Sequence, residues 1–354
     1  MAVPGAPVHD VIVIGRGIAG VLLSEELRER GLDVLVVDHP RPGRASAVAA
    51  GVVNPVVLRR TVPSWRAASM LDLANGSYRE LEAWLHVHCW HPTPLFRLFP
   101  GDKDREDWVE RQDDPEVGSF LGQPGDDVPG GVDAPFGMGP VLGAAWLDVP
   151  VLLDAHRKAW SAEGRLIEQE VGPAEVRRSA GEVVVLERRA RLVVHTTGPF
   201  AEVPGLSRVR GEGLTIRVPG LQLPGIVHRG VFLLPQGGDL FRVGATFAWD
   251  QVWSGPTDQG RAWLEERLKQ LLMLPYEVVD HWAGVRPASK DRRPILGRTS
   301  PQEAVLNGLG SRGVLLAPWC ARHLADHLMA GRPLDPEVDA ARFSDQGRTT
   351  TRPA

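Results

Sequence analysis

The run Gly15-Arg16-Gly17-Ile18-Ala19-Gly20 restricts what this chain can become more than any other part of it. Three glycines at these intervals suit a strand that turns sharply into a helix, and the flanks supply both elements. Residues 10–14 (DVIVI) are a short β-branched run, and residues 18–30 place Ile18, Val21, Leu22 and Leu27 at helical spacing. Gly31 ends that helix, and residues 33–37 (DVLVV) form a second apolar strand closed by Asp38. The pattern predicts a β-α-β unit of the Rossmann type. In it Gly15 permits the tight turn, Gly17 lets the backbone approach a pyrophosphate, and Gly20 lets the helix pack closely on the strand. The helix N-terminus, with Ile18 and Ala19 in its first turn, then turns free N–H groups toward phosphate. Asp38, followed by His39, stands where an acid would bind a ribose hydroxyl. The expectation is a dinucleotide site in an α/β fold.

The chain is too long for that unit alone. Its 354 residues, 43% hydrophobic and 24% charged, predict one large or two interleaved globular domains. A net charge of -4 from scattered ionic residues gives no bulk reason to expect nucleic acid or an anionic membrane. Cys89 and Cys320 are too few for a disulfide framework, no apolar run is long enough to span a bilayer, and residues 1–9 lack the features of a secretory leader. A cytoplasmic protein without a membrane partner is expected. Helices are predicted at 64–85, from Val149 with Pro150 in the first turn, at 258–272 and at 314–329. Strands are predicted at 182–186, 191–196 and 278–282, and a hairpin pairs 231–234 with 241–246. Residues 92–143, rich in Pro, Gly and charge, read as irregular, and the polar tail beyond Pro333 reads as frayed.

Four further segments resemble, in order along the chain, motifs of the D-amino-acid oxidase (DAO) superfamily of FAD-dependent oxidoreductases. Ser46-Ala47-Val48-Ala49-Ala50-Gly51-Val52 is similar to the segment that carries the family's chain past the pyrophosphate and flavin. Val194-His195-Thr196-Thr197-Gly198-Pro199 resembles its strand-end Thr-Gly turn. Gly284-Val285-Arg286-Pro287, then Asp291-Arg292-Arg293-Pro294-Ile295-Leu296-Gly297, matches its G-x-R-P…D-x-x-P-x-x-G block. Gly308-Leu309-Gly310-Ser311-Arg312-Gly313-Val314 matches its C-terminal Gly-rich turn into a helix. Within the superfamily the chain looks closest to glycine-oxidase-like enzymes and to the FAD domain of the bifunctional tRNA enzyme that makes methylaminomethyl-uridine, without that enzyme's methyltransferase domain. The resemblance implies a Rossmann-type FAD-binding domain interleaved with an α+β substrate domain that contains an antiparallel sheet. The FAD domain would comprise residues 8–60, 146–205 and 282–335, and the substrate domain 61–145 and 206–281, with 336–354 as a tail.

It also implies FAD as a noncovalently held cofactor, since Cys320 falls inside a predicted helix rather than in a loop facing the flavin. Contacts to FAD would come from Gly15, Gly17, Ile18, Ala19, Gly20, Asp38 and His39, then from Ser46, Ala50, Gly51, Val171, Thr197 and Gly198. The last group would be Gly310, Ser311, Arg312, Gly313 and Val314. Two arginines are catalytic candidates. Arg312 could favour charge developing on a reduced flavin, and Arg286, in the G-x-R-P position, could hold a substrate carboxylate with both arms of its guanidinium. The implied reaction is hydride transfer to flavin N5 from the carbon bearing the amine, after which water hydrolyses the imine. The substrate would be a small glycine-like primary or secondary amine, with O2 a candidate electron acceptor. Related oxidases place tyrosine hydroxyls beside the arginine, yet this chain has only Tyr78 and Tyr276, both expected to be structural. His228, Phe247 and Trp249 are the alternative pocket candidates. Two other functions stay open: oxidative removal of a carboxymethyl group from a tRNA wobble uridine, with Arg286 on that carboxylate, and a flavin-binding subunit without catalysis. His86, His88, Cys89 and His91 crowd together, but their spacing fits no zinc template and no metal is expected.

Overall fold

The computed structural model describes residues 8–179 and 181–344. Val8–Ile14 and Val34–Asp38 are parallel neighbours, Ile14 opposite Val37, and the helix Ile18–Glu29 connects them. Every residue of the second strand is buried, as befits a parallel strand covered on both faces. Leu166–Glu168 extends the sheet beside it, while Arg188–His195 runs parallel on the far side of Val8–Ile14 and sets His195 opposite Ile14. From there Glu182–Val185 and Val176–Ser179 continue as an antiparallel meander. Glu303–Asn307 also pairs parallel with Arg188–His195, and Ile295–Ser300 lies antiparallel to it. The carboxyl ends of the parallel strands thus share one edge, where open α/β sheets bind their ligands. The helix Gly313–Ala330 packs on Ile18–Glu29 and on Ala67–Leu85 to close the layer.

A second sheet of seven strands runs in the order Glu277–Ser289, Leu206–Arg217, Leu240–Gly244, Val231–Pro235, Ile226–Arg229, Leu95–Leu98 and Met138–Val141. All neighbours are antiparallel except Ile226–Arg229 with Leu95–Leu98. Its two longest strands stay paired from Leu206 opposite Ser289 to Arg217 opposite Glu277. Thr257 accepts a hydrogen bond from Gly260 N at 3.0 Å to cap the helix Asp258–Lys269, whose Leu264 and Leu268 bury one face of the sheet with Leu214, Ile216 and Phe241. Gly211 and Gly244, on the opposite face, line the cavity described below.

Several elements depart from the sequence expectation. Residues 92–143 hold the strands Leu95–Leu98 and Met138–Val141 and the helix Asp102–Arg111. That helix hides its one apolar anchor, Trp108, among charged residues; the ring is fully buried, edge-on to Phe99 at 5.7 Å. The strand expected at 278–282 continues through Pro287, because pairing with Leu206–Arg217 outweighs the local Gly and Pro signals. The chain beyond Pro333 is not frayed as far as Ser344: Leu296 N donates to Val338 O at 2.8 Å, and Arg342 pairs with Asp291 at 2.8 Å. Residues 345–354 lie outside the described residues. Among the described residues no helix is long and apolar enough to cross a membrane.

Candidate active site

A cavity of about 1040 Å³ extends from the carboxyl edge of the first sheet to the glycine-bearing face of the second. Its nucleotide end is made of backbone. Gly15 has φ +104°, and a Cβ on it would lie 2.6 Å from Thr196 O. Gly20 is closer still to its neighbour, since a Cβ there would sit 1.9 Å from Gly15 O; it packs the helix on the turn and does not reach the cavity wall. Gly17 precedes the helix in extended conformation and offers no side chain to cap it, while Ile18 N donates to Ser46 Oγ at 3.1 Å. The result is a helix end facing the cavity with little covering it, as phosphate binding requires. Asp38 is in the wall as expected, but it already accepts from Arg16 N at 2.9 Å and Arg44 Nη1 at 3.0 Å. Arg44 was not among the expected site residues, because nothing local in the sequence shows which cation meets Asp38.

The middle of the cavity gathers the dispersed segments. Ile18, Ala19, His39, Ser46, Ala50, Gly51, Val171, Thr197, Gly198, Gly310, Ser311, Gly313 and Val314 all line it, from the positions the family motifs implied. Arg242, also missed, ties one of these segments to the second sheet: it donates to Ala49 O at 2.8 Å and Val48 O at 2.5 Å, with its guanidinium 4.5 Å from the Trp282 ring centre. Arg312 does not join the wall. Burial lowers its pKa, and so does the positive charge of Arg292, Arg293 and Arg60. The turn Gly310–Arg312 brings its backbone to the cavity and sends this side chain elsewhere, so the positive potential expected there comes from the helix end at Gly313.

At the far end Arg286 and His228 line the wall, with Phe247 at the rim and 56% exposed; Trp249, 68% exposed, lies outside it. Arg286 donates from Nη1 to Thr246 O at 3.0 Å and lies 4.3 Å from the Phe247 ring centre. It rests flat on Gly211, where a Cβ would come within 2.1 Å of Nη2. No acidic side chain among the described residues pairs with it, and burial pushes its pKa down to about 10. Burial, and next the charge of Arg97, likewise push His228 down to about 4, leaving it neutral near pH 7. Phe232 and Trp282, also unforeseen, complete this end of the wall. Tyr78 is structural as expected, buried with its hydroxyl donating to Val314 O at 2.6 Å.

Neither cysteine reaches the cavity. Cys320 is fully buried in its helix, which pushes its thiol pKa up, and burial raises Cys89 to about 12. In the histidine cluster His91 stacks on Trp146 at 4.3 Å, and His88 Nδ1 sits 3.0 Å from Glu82 Oε1. Among the described residues no three ligands converge as a metal would need.

The DAO family model, described as FAD dependent oxidoreductase, matches residues 10–327. The tRNA 5-methylaminomethyl-2-thiouridine biosynthesis bifunctional protein MnmC of Maricaulis maris is 30% identical over 91% of this chain and 52% of its own length. The glycine oxidase of Pseudomonas aeruginosa is 26% identical over 96% of this chain and 99% of its own. The chain therefore spans about half the length of the bifunctional relative. In fold it resembles the iminodiacetate oxidase of Chelativorans sp. BNC1, with a TM-score of 0.78, 21% identity and coverage of 94% of this chain and 98% of that one. The glycine cradle, the bare helix end and a cavity long enough to join two sheets fit the cofactor that the family name states. With the match covering nearly all of the described residues, the chain belongs to the DAO family of FAD-dependent oxidoreductases.

Proposed function

We propose that this protein oxidises the C–N bond of an amine that carries a carboxylate, a glycine-like or N-substituted amino acid. The observation that supports this most directly is Arg286, a half-buried guanidinium in the cavity wall with no acidic partner among the described residues. A cation taken from water without a counter-ion is costly, and a carboxylate brought by the substrate would offset that cost with two parallel hydrogen bonds. Gly211 leaves room for the guanidinium, Thr246 O fixes one of its arms, and the Phe247 ring covers it. Bound in this cavity, FAD would supply the two-electron oxidant; the carbon beside nitrogen would give up hydride and the nitrogen a proton, and water would hydrolyse the imine to a carbonyl and an amine. Gly15, Gly17, Asp38, Ser46, Thr197 and Gly310 would hold it, noncovalently, since neither cysteine reaches the wall. Neutral His228 can accept or donate a hydrogen bond in this wall without adding a second positive charge to it.

A second reading, in which the amine is a carboxymethylaminomethyl group on tRNA, is favoured by the 30% identity to the tRNA-modifying relative. Both readings use Arg286 alike. Anaerobic flavin reduction with carboxylate-bearing amines, their decarboxylated counterparts and modified tRNA tests them together. Arg286→Ala should cost on the order of 2–5 kcal/mol, roughly thirty-fold to several-thousand-fold in the second-order rate constant, for the carboxylates alone. Arg286→Lys should restore only part, since an ammonium keeps the charge and loses the fork. Equal losses for both amine classes would make Arg286 structural, and a flavin that no amine reduces would point to a flavin-binding subunit.

A further inference from the structure

The segment 246–257, which follows the strand Leu240–Gly244, carries an aromatic shelf whose outer part the proposed chemistry does not use. Among the exposed large apolar side chains of the described residues, the aromatic ones are Phe247, Trp249 and Trp253. Several exposed rings on one short segment mark a contact surface. This one is held from behind. Ala248 and Arg210 exchange both backbone hydrogen bonds, at 2.8 and 3.0 Å, and Arg210 Nη1 donates to Gln251 O at 2.7 Å. Thr246 N donates to Glu212 O, and the Glu212 carboxylate accepts from Thr257 N at 2.7 Å and Thr257 Oγ1 at 2.9 Å. Arg210 and Glu212 are themselves buried, with Nε 3.1 Å from Oε1. Taking an ion pair out of water is expensive, and here it fixes both ends and the middle of the aromatic segment. Trp253 is anchored as well, stacked on Phe200 at 5.2 Å.

The shelf is continuous with Arg286, because Phe247 covers the guanidinium, lines the same cavity and lies two residues from Trp249. A substrate held at Arg286 by its carboxylate can therefore extend its nitrogen substituent across Phe247 toward Trp249. We propose that this shelf receives a planar ring attached to the substrate's amine nitrogen, so that the preferred substrate is an N-substituted amino acid whose substituent ends in an aromatic ring. The inference rests on the carboxylate role proposed for Arg286. Stacking of a base on an aromatic side chain is worth roughly five- to hundred-fold in affinity per ring. Asp250, between the two tryptophans, makes an anionic lipid surface a poorer occupant.

The test uses the FAD-bound protein. Benzyloxyacetate and methoxyacetate are ether analogues of N-benzylglycine and N-methylglycine that offer no nitrogen to oxidise; their binding is followed by tryptophan quenching and flavin absorption. Flavin reduction is then timed anaerobically with the two amines and with 5-carboxymethylaminomethyluridine, free and within tRNA. Wild type should prefer each ring-bearing ligand. Trp249→Leu, which loses the ring face outside the cavity, should weaken those ligands roughly five- to hundred-fold and change the ringless ones less than about two-fold, whereas Phe247→Leu, which also removes the cover of Arg286, should weaken both classes and the ring-bearing one roughly five- to hundred-fold more. Equal effects on both classes, or none on either, would overturn the proposal. So would binding to phosphatidylglycerol vesicles that Trp249→Leu abolishes. Ring-dependent binding of benzyloxyacetate with no amine reducing the flavin would uphold the shelf and reject amine oxidation. Reduction by N-methylglycine without any advantage from a ring would reject the shelf alone. A faster reaction with tRNA than with the free nucleoside would support the shelf and place its ring in RNA, and comparable rates would support it as a small-molecule site.

Discussion

The two ends of the cavity are built by opposite means. At the nucleotide end one short run sets the shape: Gly15, Gly17 and Gly20 make a turn, bare a helix end and allow close packing. At the far end the contacts come from separate strands and the segments between them. Arg286 lies on Gly211, is hydrogen-bonded by Thr246 and covered by Phe247. The first arrangement depends on spacing along the chain and the second on register across a sheet. A substitution at the first should therefore remove the cofactor, and one at the second should alter the reaction while the cofactor stays.

Gly20→Val should have the largest effect, because its first side-chain carbon would lie 1.9 Å from Gly15 O and 2.8 Å from Thr196 Oγ1. Forced overpacking of that kind costs on the order of 3 kcal/mol or more, and bound flavin should be lost along with thermal stability. Flavin content per protein and melting curves read it out, and stoichiometric FAD in this variant would break the contrast. Gly211→Ala comes next. Its methyl would meet the Arg286 guanidinium at 2.1 Å and displace it without touching the nucleotide end. Misplacing a binding group by about an ångström can cost on the order of a hundred-fold, so carboxylate-bearing amines should react about ten- to hundred-fold more slowly at full FAD occupancy. Comparable slowing of decarboxylated amines would show that Gly211 serves the sheet and not the arginine.

The smallest effect concerns acid. His228, at about 4, binds fewer protons folded than unfolded between its ordinary value of 6.5 and 4. Its contribution is complete above pH 6.5 and is lost as pH falls through that window, at most about 3 kcal/mol. His228→Gln should flatten the fall in stability between pH 6.5 and 4, measured by denaturant unfolding. An unchanged slope would place the acid sensitivity elsewhere.

The same contrast explains what could be read in advance. The Rossmann unit, the segment around Ser46 and the turn at Gly310 were legible because each depends on neighbours in sequence. Arg242, Phe232 and Trp282 were not, since each acquires its place only when distant strands pair. Arg312 illustrates the limit of motif reading: its backbone lies where the family pattern puts it, yet a tight turn carries the side chain away from the wall. Residues 92–143 misled for another reason, as a helix with one buried tryptophan has almost no amphipathic signature. Trp249 was expected as a pocket residue on the strength of its type, and at 68% exposure it lies outside the cavity instead.

The guanidinium of Arg286, unpaired among the described residues, would grip the portion of the substrate that the proposed oxidation leaves unchanged. A carboxylate lost from neither reactant nor product is held about equally by both, so this contact lowers the substrate concentration needed without distinguishing the two. Product inhibition follows from the same bond that confers affinity, and simple carboxylic acids become competitive inhibitors. Because they bind the folded chain and not the unfolded one, acetate or oxalate buffers should also raise its melting temperature, through a stabilisation of RT times the logarithm of one plus the ratio of free ligand to Kd.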